Sequence, residues 1–212
     1  MYLVKGLGNT LIMTAVALLI GVVLGFLIAV IRTTYDRTGK MKLLNVLCRV
    51  YLTVIRGTPV MIQLLIIFYV VFGSSRLDKL VIASLAFGLN SAAYVAEIIR
   101  SGIMSIDNGQ MEAGRSLGMS YGMTMLYIIA PQAFKNILPA LANEFIVLIK
   151  ETSVSGYIGT MDLTRGGDII RSTTYEAFLP LIAVALIYLA IVMILTAGVG
   201  RLERRLRNNE RK

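Results

Sequence analysis

Charged residues in this chain cluster in short connectors, and between them lie long apolar runs. Residues 6–31 hold 26 positions without a charge, and residues 177–200 hold 24. Residues 57–75 supply 19 more, and residues 80–96 supply 17 before Glu97 interrupts. A helix needs about 20 mostly apolar residues to cross a bilayer, so these four runs predict membrane-spanning helices. The first run is too long for a secretory leader and is preceded only by Lys5. With no small-x-small cleavage pattern leading into a polar domain, it is expected to stay in the protein.

Two further stretches are ambiguous. Residues 116–134 are uncharged, whereas 138–159 are apolar but contain Glu144, Lys150 and Glu151. Charge parity chooses between them. Arg32, Arg37, Lys40, Lys42 and Arg49 follow the first run; Arg201, Arg204, Arg205, Arg207, Arg211 and Lys212 follow the last. Basic connectors favour the cytoplasmic side, so an even number of crossings must separate the two clusters. One crossing is therefore needed beyond the three clear ones. Using 116–134 would strand 138–159 outside, and its glycines, Ser120, Thr124 and Pro131 suit a continuous lipid-facing helix poorly. The expectation is five spans at about 6–31, 53–75, 80–104, 138–159 and 178–200, with a cytoplasmic loop at about 105–135. The N-terminus is then outside and the C-terminus inside. The fold class is all-α, a polytopic bundle forming one integral-membrane domain over 1–212. The outer connectors, near 74–79 and 164–176 (TRGGDIIRSTTYE), leave no room for a folded external domain.

Composition sharpens this picture. The chain is 57% apolar and lacks Trp and His, and its single Cys48 can form no internal disulfide. Without His, the commonest metal ligand and general base is missing. No catalytic, cofactor-binding or metal-binding residue is expected. The net charge of +9 could suit a nucleic acid, but its placement at span ends marks contact with membrane lipids instead.

The loop carries the most specific pattern. Asp107 or Asn108 can cap a short helix over 110–117, Glu112 and Arg115 are spaced to pair along it, and Gly118 lets the backbone leave. Such a helix across the cytoplasmic face would act as a lever. Its small residues Ala113, Gly114, Ser116 and Gly118 would let another protein close against it. Within QMEAGRSLGMSYGMTMLYIIAP (110–131), Glu112, Ala113, Gly118, Ile128 and Pro131 stand in register with the EAA signature of ATP-binding-cassette (ABC) importer permeases. Gly114 and Ala130 depart from it, both to small apolar residues. Arg56-Gly57-Thr58-Pro59, AYVAEIIRSGI (93–103) and NILPALANEFIVLIKETS (136–153) resemble the polar-amino-acid branch, which imports histidine, arginine, glutamine and glutamate. The resemblance implies a type I importer fold whose loop helix, carried by Glu112, Ala113, Gly114, Arg115, Ser116, Leu117 and Gly118, enters a groove of a P-loop ATPase. It further implies an extracytoplasmic amino-acid-binding protein and a second permease copy or paralogue. ATP and Mg would sit on the ATPase, since no Gly-x4-Gly-Lys-Ser/Thr stretch occurs here.

Polar groups inside spans are expensive and need partners or water. Asn90, Tyr94, Glu97 and Ser101 form one helical stripe, which either lines a pathway or joins helices, with Glu97 pairing to Arg100 as the favoured reading. Glu144 and Glu151 share a face, and Lys150 and Glu151 are expected near mid-membrane. Glu151, Thr152 and Ser155, with Asn90 and Tyr94, are the candidate substrate pathway. A carboxylate there suits a cationic amino acid unless Lys150 neutralises it. Thr58 is expected to cap the helix opened by Pro59, and Arg56 to reach the cytoplasmic headgroups. An autonomous transporter would need ion-driven transport without nucleotide, and no inverted repeat supports it. An intramembrane enzyme would need a convergent nucleophile and base, and none stands out.

Overall fold

The first uncharged run becomes the middle of α1 (Tyr2–Thr38) in the computed structural model of the chain, which describes residues 1–208. Arg211 and Lys212 therefore lie outside the described residues. Gly39 ends α1 in the left-handed region at φ 66°, and its N–H donates to Tyr35 O at 2.9 Å. Every element among the described residues is helical.

The second span departs from its expected form. Residues 42–52, read from the sequence as a connector, begin a separate helix, α2 (Lys42–Gly57). Leu43, Leu47, Val50 and Val54 form an exposed apolar stripe along it, while Asn45 and Leu52 are buried. The chain then bends by 113° into α3 (Val60–Ile66), which continues as a wider π-turn over Ile67–Val71. Proline forces the bend: Pro59 offers no N–H, and the residue before it is driven to extended backbone. Thr58 has φ −125° and ψ 148°. It does not cap α3. Its hydroxyl donates back to Val54 O at 2.7 Å and accepts from Gln63 Nε2 at 2.8 Å.

α4 (Lys79–Met104) starts at the Asp78 cap, whose Oδ1 accepts from Leu80 N at 2.7 Å, and forms the centre of the bundle. Its main neighbour is α1, and the contact depends on small residues. A Cβ added at Gly21 would stand 2.8 Å from Ser91 Oγ. At Gly25 it would stand 2.8 Å from Val95 Cβ, and at Gly88 2.8 Å from Ile20 Cβ. Between helices in lipid, such close backbone approach supplies the dispersion that holds them together. Met13, Ala17, Leu64, Ala83, Phe87 and Leu148 form one core layer, and Ala29, Val95, Ile99, Ala133 and Ile137 form another.

The two ambiguous stretches are joined in one helical run. After α5 (Asn108–Ser116), one helical run passes through α6 (Tyr121–Thr124), a π-turn (Met125–Ile129), α7 (Ala130–Glu151) and a 3-10 segment (Thr152–Ile158). The helical run that contains residues 138–159 thus starts at Tyr121, and the non-helical part of the loop before it is short, residues 117–120. Both ambiguous apolar stretches belong largely to this one run. The wider turn at Met125–Ile129 accommodates Pro131, whose ring would otherwise clash with the carbonyl four residues back.

The polar outer stretch also folds, as α8 (Leu163–Thr174). Buried Asp162 caps it, accepting from Thr164 N at 3.0 Å and Arg165 N at 3.2 Å. Two bonds tie this corner to α1: Asn9 Nδ2 to Met161 O at 2.8 Å, and Leu163 N to Thr10 Oγ1 at 3.1 Å. α9 (Phe178–Asn208) closes the chain and is mostly exposed.

Candidate functional site

The loop between α4 and the long fourth helix is built as a rigid part. Asp107 caps α5, its Oδ1 accepting from Gly109 N at 2.7 Å. At the other end Met119 N bonds Gly114 O at 3.1 Å and Gly118 N bonds Arg115 O at 3.0 Å. With Gly118 at φ 81°, this is a Schellman C-cap. Both the cap at Asp107 and the exit at Gly118 follow the sequence expectation. Glu112 and Arg115 are exposed and make no ion pair with each other, unlike the pairing expected from their spacing.

One face of α5 is pinned to the bundle. Gly114 is its buried residue, and a Cβ there would meet Thr124 Cγ2 at 2.5 Å and Ile128 Cδ1 at 3.2 Å. The small size of Gly114 therefore serves a contact inside the chain. Ile106 joins the α4–α7 core layer, and Ser105 Oγ accepts from Asn136 Nδ2 at 2.8 Å. The other face stays open: Glu112, Ala113, Arg115, Ser116 and Gly118 are exposed, and Leu117 is 81% exposed. α5 is thus capped at both ends, fixed to the bundle on one side and apolar at its open tip.

The intramembrane polar stripe divides. Asn90 is buried and donates to Gln63 Oε1 at 2.9 Å, while Gln63 Nε2 donates to Ile55 O at 2.8 Å and Thr58 O at 3.0 Å. This network ties α4 to the bend between α2 and α3. Tyr94, Glu97 and Ser101 instead line an open cleft of about 450 Å³ with Arg56, Asn136 and Glu144. Glu144 is buried and accepts from Ser91 Oγ at 2.8 Å.

Farther along the fourth helix, Glu151 is half-buried at its last α-helical turn. Thr152 is buried, donating to Ile149 O at 2.9 Å with its Oγ1 3.5 Å from Thr14 Oγ1. Ser155 Oγ is buried and has no hydrogen-bond partner among the described residues. Lys150 lies elsewhere, in a cleft of α7, α8 and α9 with Ser153, Thr164 and Tyr188. The helix thus turns Lys150 away from the face shared by Glu144 and Glu151.

Glu97 makes the pairing expected with Arg100 and more. Arg100 Nη2 lies 2.5 Å from its Oε1, and Nε donates to Oε2 at 3.2 Å. Arg32 Nη1 and Arg56 Nη1 each stand 3.8 Å from the same Oε2. Arg56 also lies 5.9 Å from the centre of the Tyr94 ring. Two participants escaped the sequence reading. Gln63 was signalled by being the one amide in an apolar run, whereas the reach of Arg32 across to α4 had no local signal.

The match to known proteins covers the whole architecture. Residues 21–208 match the family described as the binding-protein-dependent transport system inner membrane component. The arginine transport system permease protein ArtQ of Bacillus subtilis (strain 168) is 39% identical over 214 aligned positions, covering 99% of this chain and 94% of that one. The glutamine transport system permease protein GlnP of Escherichia coli (strain K12) is 36% identical over 208 positions, covering 97% and 93%. Among solved structures, a crystal structure of an amino acid ABC transporter with histidines superposes with a TM-score of 0.89 at 44% identity, covering 96% of this chain and 94% of that one. An inward-facing form of the MetNI methionine ABC transporter shares the fold, with a TM-score of 0.78 at 22% identity over 96% of this chain and 95% of that one. With its apolar helices, its capped loop helix and these matches end to end, the chain belongs to the binding-protein-dependent transport system inner membrane component family and is a membrane permease subunit of the ABC importer type.

Proposed function

We propose that this subunit moves polar amino acids into the cytoplasm across a bacterial inner membrane, with five crossings, the N-terminus outside and the C-terminus inside. It pairs with a second copy or a paralogue. P-loop ATPase subunits dock beneath it, and an extracytoplasmic amino-acid-binding protein delivers substrate from above. ATP and Mg bind the ATPase, and this chain contributes no catalytic group. The observation that carries the reading is α5, capped at both ends and anchored through Gly114 on one side, with Glu112, Ala113, Arg115, Ser116, Leu117 and Gly118 open on the other. Closure of the ATPase on that open face would push α4 and the fourth helix together and switch access.

Tyr94, Glu151, Thr152 and Ser155 are the proposed pathway, with Asn90 supporting it from α4. The carboxylate of Glu151 supports a substrate ammonium or a cationic side chain, its charge partly offset by Lys150, which lines the cleft of α7, α8 and α9. The relatives whose names include arginine and glutamine support this class.

The test is co-purification from native membranes, comparing wild type with Glu112→Lys/Leu117→Asp, whose two positions are exposed. Wild type is expected to bring down a P-loop ATPase and the variant to lose it while remaining monodisperse. Folded wild type that brings down no ATPase would sink the importer reading and favour an autonomous transporter.

A further inference from the structure

A second polar cleft lies behind Glu97, on the end of the bundle that carries the coupling helix. It is open, has a volume of about 590 Å³, and is lined by Arg32, Arg49, Arg56 and Arg100 together with Leu52, Thr53 and Glu97. Four guanidinium groups from α1, α2 and α4 thus surround a single lining carboxylate. Glu97 is committed to Arg100, and only its outer oxygen approaches Arg32 and Arg56, at 3.8 Å each. Asp36 of α1 acts electrostatically on Arg100 and adds one more negative charge to the surroundings. Arg49 stacks over Tyr35 at 5.8 Å and has no carboxylate of its own among the described ion pairs. Arg32 Nε is buried and finds no hydrogen-bond partner among the described residues. Like charges converge here with donors to spare, and guanidinium forks match the oxygens of a phosphate.

The neighbouring surface identifies the source of that phosphate. α2 forms one wall of the cleft. It carries Arg49 and Arg56 beside the exposed stripe Leu43, Leu47, Val50 and Val54, and it is bent by 113° from the helix that follows. An amphipathic, basic helix turned sharply from a spanning helix suits the headgroup layer, with its apolar residues among acyl chains. A phosphate seated in the cleft would then carry its tails along that stripe. We infer that the arginine cleft of α1, α2 and α4 is a binding site for the phosphate of an anionic lipid headgroup. The site is independent of the amino acid carried and rests only on this end of α4 reaching the bilayer surface. Occupied, it would bridge α1, α2 and α4 next to the coupling helix, so that lipid composition sets how firmly these helices move together.

The test uses the full chain in neutral detergent, titrated separately with short-chain phosphatidylglycerol, short-chain phosphatidylcholine and inorganic phosphate, with binding read by thermophoresis. Arg49→Gln/Arg56→Gln removes two exposed guanidiniums and leaves Arg32 and Arg100 to hold Glu97. Lys40→Gln/Lys42→Gln removes two nearby charges outside the cleft. Phosphatidylglycerol should bind wild type and the lysine variant alike, and bind the arginine variant about tenfold more weakly. Phosphatidylcholine should not bind measurably. Equal weakening in the lysine variant would show diffuse attraction instead of a site and overturn the proposal. Inorganic phosphate binding as tightly as phosphatidylglycerol would assign the cleft to a soluble anion and overturn the lipid reading. An arginine variant that aggregates is replaced by Arg49→Gln alone, for which a loss of about threefold is expected and unchanged affinity overturns the proposal.

Discussion

α4 and α9 are both apolar helices long enough to cross a membrane, yet they occupy opposite places in the molecule. Of their most apolar stretches, 72% is buried in α4 and only 6% in α9. The less apolar helix is the central one. In water this order would be reversed, because burial there rewards hydrophobicity. In a bilayer, lipid satisfies leucine and isoleucine as well as protein does, so position is decided by small residues and by paired polar groups. α4 has both: Gly88, Ser91 and Ala92 meet α1, and Asn90 bonds to Gln63. α9 presents Leu181, Ile182, Leu186, Leu189, Met193 and Ile194 to its surroundings.

Breaking the α4 contact should have the largest effect. Gly25→Leu places a Cβ 2.8 Å from Val95 and 2.9 Å from Ala92 O. Backbones must separate, with an expected loss of about 3 kcal/mol, seen as a fall in thermal midpoint and in monodisperse yield. Asn90→Leu comes next. It leaves the Gln63 amide oxygen buried without its donor, and about 2 kcal/mol should be lost; adding Gln63→Leu should recover part of it. On α9, Leu189→Ala should stay within about 0.5 kcal/mol of wild type, and a larger loss would mean that α9 is packed against another subunit.

The smallest effect concerns the outer helix. The hydrogen bond from Arg171 holds the exposed Asp168 carboxyl below the usual carboxylate range, with Arg165 adding to it. A depressed folded value means that its contribution is present above the unfolded value and is lost as pH falls through the folded one. The gap in thermal midpoint between wild type and Asp168→Asn should be small near pH 7 and close as the solution is acidified below the usual carboxylate range. A gap that widens on acidification would contradict the pairing.

Much of the loop helix was legible along the chain. Asp107, Gly118 and the spacing around Glu112 act over one or two helical turns, so local chemistry suffices to place the cap, the exit and the open face. The inward role of Gly114 was not legible, because Thr124 reaches it only once α6 folds back. The start of the fourth helix was hidden for a related reason. Pro131 and the nearby glycines read as a break, and the π-turn that absorbs the proline is a response of the whole helix.

The sequence by itself determined that this chain crosses a membrane, which connectors are basic, and which family it resembles. Those properties follow from runs of like residues and from short spacings, and each is set within a few turns of helix. Only the tertiary structure decided which apolar helix is central, that Gln63 and Asn90 lock the bend after Thr58, and that Arg32, Arg56 and Arg100 converge on Glu97. Those outcomes depend on contacts between helices far apart in the chain, where the choice rests on fit and charge pairing rather than on hydrophobicity.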